Sequence, residues 1–110
     1  MLCMNKVYIG GFVEHIIKSK TYSGYPAACM RVKMKVDDIV SYVNVNLYDE
    51  NAVLCDKIKK GDYVIVVGKL TNRKMGERYL SEVKAEELTL FLKLRKKEGE
   101  ESEVEKGVEE

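Results

Sequence analysis

Tyr42-Val43-Asn44-Val45-Asn46-Leu47-Tyr48, continuing into Asp49-Glu50-Asn51-Ala52-Val53-Leu54-Cys55-Asp56-Lys57-Ile58-Lys59-Lys60-Gly61, is the stretch in which the periodicity of the chain changes. In its first part Val43, Val45 and Leu47 alternate with Tyr42, Asn44, Asn46 and Tyr48. That two-residue repeat belongs to a strand with one apolar face. From Asp49 the repeat is lost. Asp49 fits a helix N-cap, Val53, Leu54 and Ile58 fall at helical spacing, and Lys59 and Lys60 precede a stop at Gly61. One short helix is expected over residues 49–60, directly after a strand.

Upstream, Ala28, Met30, Val32, Met34 and Val36 alternate with Cys29, Arg31, Lys33 and Lys35, so a second strand has an apolar face and a face with three cations. Before it, residues 7–13 read as a strand that bends or bulges at Gly10-Gly11, and Thr21-Tyr22-Ser23-Gly24-Tyr25-Pro26 reads as a turn-rich loop. Downstream, Tyr63–Val67 is a β-rich run ending at Gly68. Residues 71–78 form a polar loop, and residues 79–92 form a last strand, irregular around Ala85-Glu86-Glu87. The order is three strands, one helix, two strands. This is the connectivity of an OB-fold, an all-β five-stranded Greek-key barrel with its helix between the third and fourth strands. The domain is expected over residues 1–92, followed by a disordered, charged tail over 93–110.

With 110 residues the chain has room for one domain. No apolar run approaches the roughly 20 residues that cross a bilayer, and Met1–Lys6 lacks a signal-peptide core, so a cytoplasmic protein with no membrane partner is expected. Cys3, Cys29 and Cys55 are odd in number, far apart and flanked by apolar residues, which fits reduced, buried thiols rather than a disulfide framework. The net charge of +1 conceals a segregation. Residues 98–110 hold seven Glu and one Lys, a net of −6; the rest carries 18 Lys and Arg against 11 Asp and Glu, a net of +7. A basic body points to a polyanion partner.

Single-stranded nucleic acid presents unstacked base faces and a line of phosphates, which call for aromatic platforms and cations. One outward face offers Arg31, Lys33 and Lys35; the next offers Tyr42 and Tyr48, separated by Asn44 and Asn46 that can hydrogen-bond to bases or sugars. At about 3.4 Å per residue the two tyrosines stand about 20 Å apart. Tyr22 and Tyr25 lie in the first loop, with Lys18 and Lys20 beside them; Arg73, Lys74, Met75 and Arg78 lie in the last. Each residue also has a plainer role: tyrosine packs well in strands, and alternating cations solvate a strand face. The coincidence on one surface carries the functional reading. No catalytic set, metal site or cofactor motif is visible. The single His15 reads as a surface histidine at a strand end, and Gly10-Gly11 lacks the spacing of a phosphate loop, so no enzyme, metal or cofactor is expected.

These segments resemble the bacterial single-stranded-DNA-binding protein family, including its short members of the primosomal replication protein N type. Asn5-Lys6-Val7-Tyr8-Ile9-Gly10-Gly11 is similar to the family's first strand, and Ser23-Gly24-Tyr25-Pro26-Ala27-Ala28 to its loop into strand two. Lys59-Lys60-Gly61-Asp62-Tyr63-Val64 with Gly68-Lys69-Leu70 is similar to its Lys-Gly-x-x-Val…Gly-x-Leu signature; Thr71–Lys74 and Arg78–Val83 fit its last hairpin. The resemblance spans residues 5–92. It implies that Tyr42 stands where the family has a base-stacking tryptophan and Tyr48 where it has a stacking phenylalanine. Met75 stands where another tryptophan is common, and the chain has no Trp. Methionine offers no π-face, which implies weaker binding or fewer nucleotides engaged. The family's Gly/Pro/Gln-rich linker is nearly absent and the terminal Gly107-Val108-Glu109-Glu110 lacks its apolar docking motif, so a hub role for the tail is not expected.

The resemblance implies a sequence-tolerant coat for single-stranded DNA, in replication, repair or recombination, with RNA as the other nucleic acid the same face would accept. It also implies a homo-oligomer, dimer or tetramer, which would cover strand edges around Val7 and Ile9. The alternative reading is an OB-fold protein-interaction or replication-restart scaffold with the tyrosines at its interface. Against it stands the lysine content of the face, since interface cores are depleted of lysine.

Overall fold

The computed structural model describes residues 2–92, so the expected acidic tail lies outside the described residues. Five strands, β1 (Val7–Lys20), β2 (Pro26–Val36), β3 (Ile39–Tyr48), β4 (Tyr63–Met75) and β5 (Arg78–Leu92), close into a barrel in the order β1-β2-β3-β5-β4. All pairs are antiparallel except β3 with β5, which meet in parallel where Val45 and Asn46 face Val83 and Lys84. The one α-helix among the described residues, α1 (Glu50–Leu54), sits between β3 and β4. This is the OB-fold architecture.

The alternating apolar residues build the interior. Met30 and Val32 from β2, Val45 and Leu47 from β3, Val64 and Val66 from β4, Val13 from β1 and Val83 from β5 are all buried, and Ala52, Cys55 and Ile58 join the same core. Towards the β2–β3 turn the inward positions open out: Met34 is half-buried and Val36 exposed. Asp37 and Asp38 make that turn, both with positive φ (54° and 64°), as a two-residue type I′ hairpin requires.

β1 is shared between two neighbours. Val7–Phe12 pairs with β4 and Phe12–Lys20 with β2, so the edge expected at Val7 and Ile9 is occupied on one side by β4. Gly11 lies at the handover. A Cβ there would come within 2.5 Å of the Lys33 carbonyl oxygen and 2.8 Å of Val32 Cγ1, so the glycine serves close approach. The expected bulge at Gly10-Gly11 falls instead between Val13 and His15, beside which His15 is exposed within the strand rather than at its end.

Four further expectations are corrected. The helix is shorter than residues 49–60, because a 3-10 turn (Cys55–Lys57) follows α1. Asp49 is not a side-chain cap: its N–H still donates to Pro26 O (3.0 Å) at the end of the β2–β3 ladder, its φ is 54°, and its carboxylate makes no cap hydrogen bond. Residues 71–78 are not a loop but the end of the β4–β5 hairpin, which pairs out to Met75 and Arg78 around Gly76-Glu77. This arm is exposed on both faces, so its side chains show no apolar alternation. The irregularity expected near residue 86 is present: Val67 faces Glu87 and Gly68 faces Ala85, with Glu86 extra in β5. Of the three cysteines only Cys55 is buried; Cys29 is half-buried and Cys3 exposed, because residues 2–6 run outside the barrel. No helix among the described residues is long and apolar enough to cross a membrane.

Candidate functional site

The register of β2 against β3 places Lys33 opposite Tyr42, Arg31 opposite Asn44, Cys29 opposite Asn46 and Ala27 opposite Tyr48. Since Met30, Val32, Val45 and Leu47 point inward, the pleat turns all of these outward on one surface. Tyr42 and Tyr48 keep 48% and 39% of their surface exposed, which excludes a core role for either. Each carries a cation. The Arg31 guanidinium carbon is 4.6 Å from the Tyr42 ring centroid, and Lys84 Nζ is 5.8 Å from that of Tyr48. Both distances are within cation–π range.

Lys84 is the site residue that sequence reasoning missed. Its exposure could be read from its place between buried Val83 and Ala85. Its partner could not, because the Asn46–Lys84 contact depends on the parallel closure of β3 on β5.

Tyr48 stands between two open grooves. One, of about 310 Å³, is lined by Thr21, Tyr25, Asp49 and Lys84 as well as Tyr48. The other, of about 450 Å³, includes Ile17, Ser19, Ala27, Cys29 and Asn46 along its walls. The first loop is thus brought to the face through Tyr25, whose N–H is held by Thr21 Oγ1 (3.1 Å), with Gly24 turning the chain at φ 91°. Tyr22 is fully exposed and lines neither groove. Lys35 is exposed towards the β2–β3 turn, opposite Val40.

Lys74, Met75 and Arg78 are exposed at the end of the β4–β5 arm, where Met75 faces Arg78 and Lys74 faces Tyr79. They do not join the β2–β3 surface by register. Arg73, lower on the arm, donates from an Nη to Glu82 Oε2 (2.7 Å), and Asn46 Nδ2 donates to Glu82 Oε1 (2.8 Å). Glu82 is only 3% exposed. Burial pushes its carboxyl pKa up, but the hydrogen bonds from Arg73 and Asn46, with the Arg73 charge, outweigh this and hold it below the usual carboxylate value. Glu82 therefore joins β3, β4 and β5 as an ionised group. Lys18, expected near the first loop, pairs with Asp56 (2.5 Å).

The sequence matches no protein-family model and no curated protein. The fold is similar to solved structures of the single-stranded DNA binding protein from Thermus aquaticus. A deletion variant of that protein superposes with a TM-score of 0.72 at 22% identity, over 86% of this chain and 45% of that one. The wild-type structure gives a TM-score of 0.70 at 22% identity, over 84% and 42%. The chain thus spans less than half the length of the proteins it matches, and at this identity the likeness is one of fold.

Proposed function

We propose that this chain binds single-stranded nucleic acid, DNA in the first place, with little sequence preference and without chemistry on the strand. The observation that carries the reading is the pairing of a cation with each outward tyrosine, Arg31 with Tyr42 and Lys84 with Tyr48, on a face that also holds Lys33, Lys35, Asn44 and Asn46. A base can stack on each ring while the neighbouring cation meets a phosphate. Tyr25 adds an aromatic wall beside Tyr48, and Tyr22, Lys74, Met75 and Arg78 extend the contacts from the two arms. The fold likeness to a protein described as binding single-stranded DNA supports the same reading.

The proposal includes an intracellular setting in replication, repair or recombination, consistent with three free cysteines. It also includes a homo-oligomer. Phe12, Tyr63 and Phe91 stack edge to face (5.1 and 5.7 Å between centroids), and Phe12 and Phe91 are exposed, so a second copy would cover apolar surface there. Light scattering should give a multiple of 12.6 kDa at micromolar concentration.

The deciding experiment is a fluorescence-anisotropy titration of a labelled oligothymidine at several salt concentrations. Binding should weaken steeply with salt, at about 0.7 in log–log slope per phosphate neutralised, and Lys33→Ala with Lys35→Ala should lower the slope by about one or more. Absence of binding at low salt by the folded protein would overturn the reading.

A further inference from the structure

Glu82 is an acid on the outward side of β5, two residues from Lys84, in a body whose net charge is positive. A carboxylate beside a phosphate path repels the ligand unless its charge is already answered. Here it is. The group is 3% exposed and accepts hydrogen bonds from Arg73 (2.7 Å) and from the Asn46 amide (2.8 Å). Thr71, directly opposite Glu82 in the ladder, donates from its hydroxyl to the Glu82 carbonyl oxygen (3.3 Å), fixing the backbone at the same point.

We propose that Glu82 is an internal counter-ion that withholds Arg73 from nucleic acid, so that the phosphate path follows Arg31, Lys33, Lys35 and Lys84 rather than the base of the β4–β5 arm. This rests on the binding function proposed above. The partners of the pair differ in what they can give up. The Arg73 side chain is 58% exposed and can reach solvent, but Glu82 cannot follow it. If Arg73 turned to a phosphate, an ionised carboxylate would remain buried with only the Asn46 amide to satisfy it, which is the costly way to break such a pair. If instead a phosphate approached the intact pair, it would meet no net charge and release no counterion. In either case Arg73 adds nothing to the salt dependence. Glu82 is in this sense a positioning residue: it acts through Arg73, and it also holds the Asn46 amide nitrogen in a hydrogen bond.

The test is the log–log salt slope of oligothymidine binding for four folded proteins, with circular dichroism melts alongside. Lys33→Ala serves as the measure of one lost contact, about 0.7 shallower than the parent. Glu82→Gln removes the counter-charge but keeps a hydrogen-bonding group; Arg73 is released, and the slope should steepen by about 0.7. The charge-neutral double variant Arg73→Ala, Glu82→Gln should return to the parent slope. A double variant about 0.7 shallower than the parent, or a Glu82→Gln slope equal to the parent's, overturns the proposal. Should Glu82→Gln fail to fold, Arg73→Met with Glu82→Met replaces the pair by apolar groups and is held to the same standard: parent slope expected, a shallower one overturning. A parent that binds no oligothymidine defeats the binding function itself, an outcome read before any variant is made.

Discussion

Arg31 and Tyr42 form one unit: the guanidinium lies 4.6 Å from the ring centroid, and the two residues belong to neighbouring strands held in fixed register by the Lys33–Tyr42 and Arg31–Asn44 pairs. The ring is therefore held in place by a cation that also has donors for phosphate. Arg31→Ala and Tyr42→Ala should each weaken oligothymidine binding by about five- to tenfold, from stacking worth about 1–3 kcal/mol per base and a lost phosphate contact. Because each removes part of the other's setting, the double variant should lose less than the product, with a coupling of about 0.5–1 kcal/mol. Anisotropy titrations of the four proteins measure it. Strictly additive losses would show that the two side chains act apart.

The Glu82 carboxyl gives a pH dependence whose sign follows from its environment. Its folded pKa is lowered, because the bonds from Arg73 and Asn46 outweigh burial, whereas in the unfolded chain it takes an ordinary carboxylate value of about 4.3. A group depressed in the folded state contributes stability that is fully present above the unfolded pKa and is lost as pH falls through the folded one. Glu86, lowered by its hydrogen bond to Lys6, adds to the same acid limb. Melting temperature should thus vary little through Glu82 between about pH 7 and 5, then fall below about pH 4. In Glu82→Gln the fall should be shallower. Superimposable acid limbs for parent and variant would remove Glu82 from the account.

The outward set Tyr42, Asn44, Asn46 and Tyr48 is legible because a strand has period two: once Val45 and Leu47 are inside, the others have no choice of side. The cations Arg31, Lys33 and Lys35 follow for the same reason. What could not be read depends on contacts remote in sequence. Lys84 reaches Tyr48 only because β5 lies parallel to β3 at Asn46. Glu82 stands between Ser81 and Val83 with nothing in the local sequence to mark it as buried, and the groups that hydrogen-bond its carboxylate, Arg73 and Asn46, lie nine and 36 positions away. The β4–β5 arm reads as a loop over residues 71–78 because both of its faces meet water, and the backbone pairing that continues out to Met75 and Arg78 leaves no apolar pattern. Asp49 has the residue type of a cap, but the β2–β3 ladder holds its N–H and turns its backbone left-handed.

Gly68 supports the site from beneath. It is buried opposite Ala85 at the β4–β5 bulge, and a Cβ placed on it would collide with the Lys84 carbonyl oxygen, with Lys84 C at 2.9 Å and Ala85 Cα at 3.1 Å. These are backbone atoms and cannot rotate aside. Gly68→Ala should cost about 2–3 kcal/mol, as overpacking does, and lower the melting temperature by roughly 10–20 °C. Because the displaced strand carries Lys84, binding of the folded fraction should weaken too. A variant melting within a few degrees of the parent would mean that β5 yields freely at the bulge.

Tyr48 is the residue on which the stacking reading turns. It is 39% exposed, its ring is approached by Lys84 at 5.8 Å, and with Thr21 it lines both grooves of the face. The barrel interior beneath it is filled by Leu47, Met30 and Ala28, so the tyrosine ring adds little to the core. Its replacement by alanine therefore separates two roles. If the ring is a platform for bases, Tyr48→Ala weakens oligothymidine binding by about tenfold, corresponding to about 1.4 kcal/mol, within the range of one base stack. The melting temperature should move by less than about 5 °C, since less than about 1 kcal/mol of packing is lost. If the ring is a packing residue, stability falls instead and affinity changes only with the unfolded fraction. Tyr48→Phe keeps the π-face and loses only the hydroxyl, so it should bind like the parent. A folded Tyr42→Ala, Tyr48→Ala double variant with parental affinity would falsify the stacking role and move the nucleic-acid contact away from the β2–β3 face.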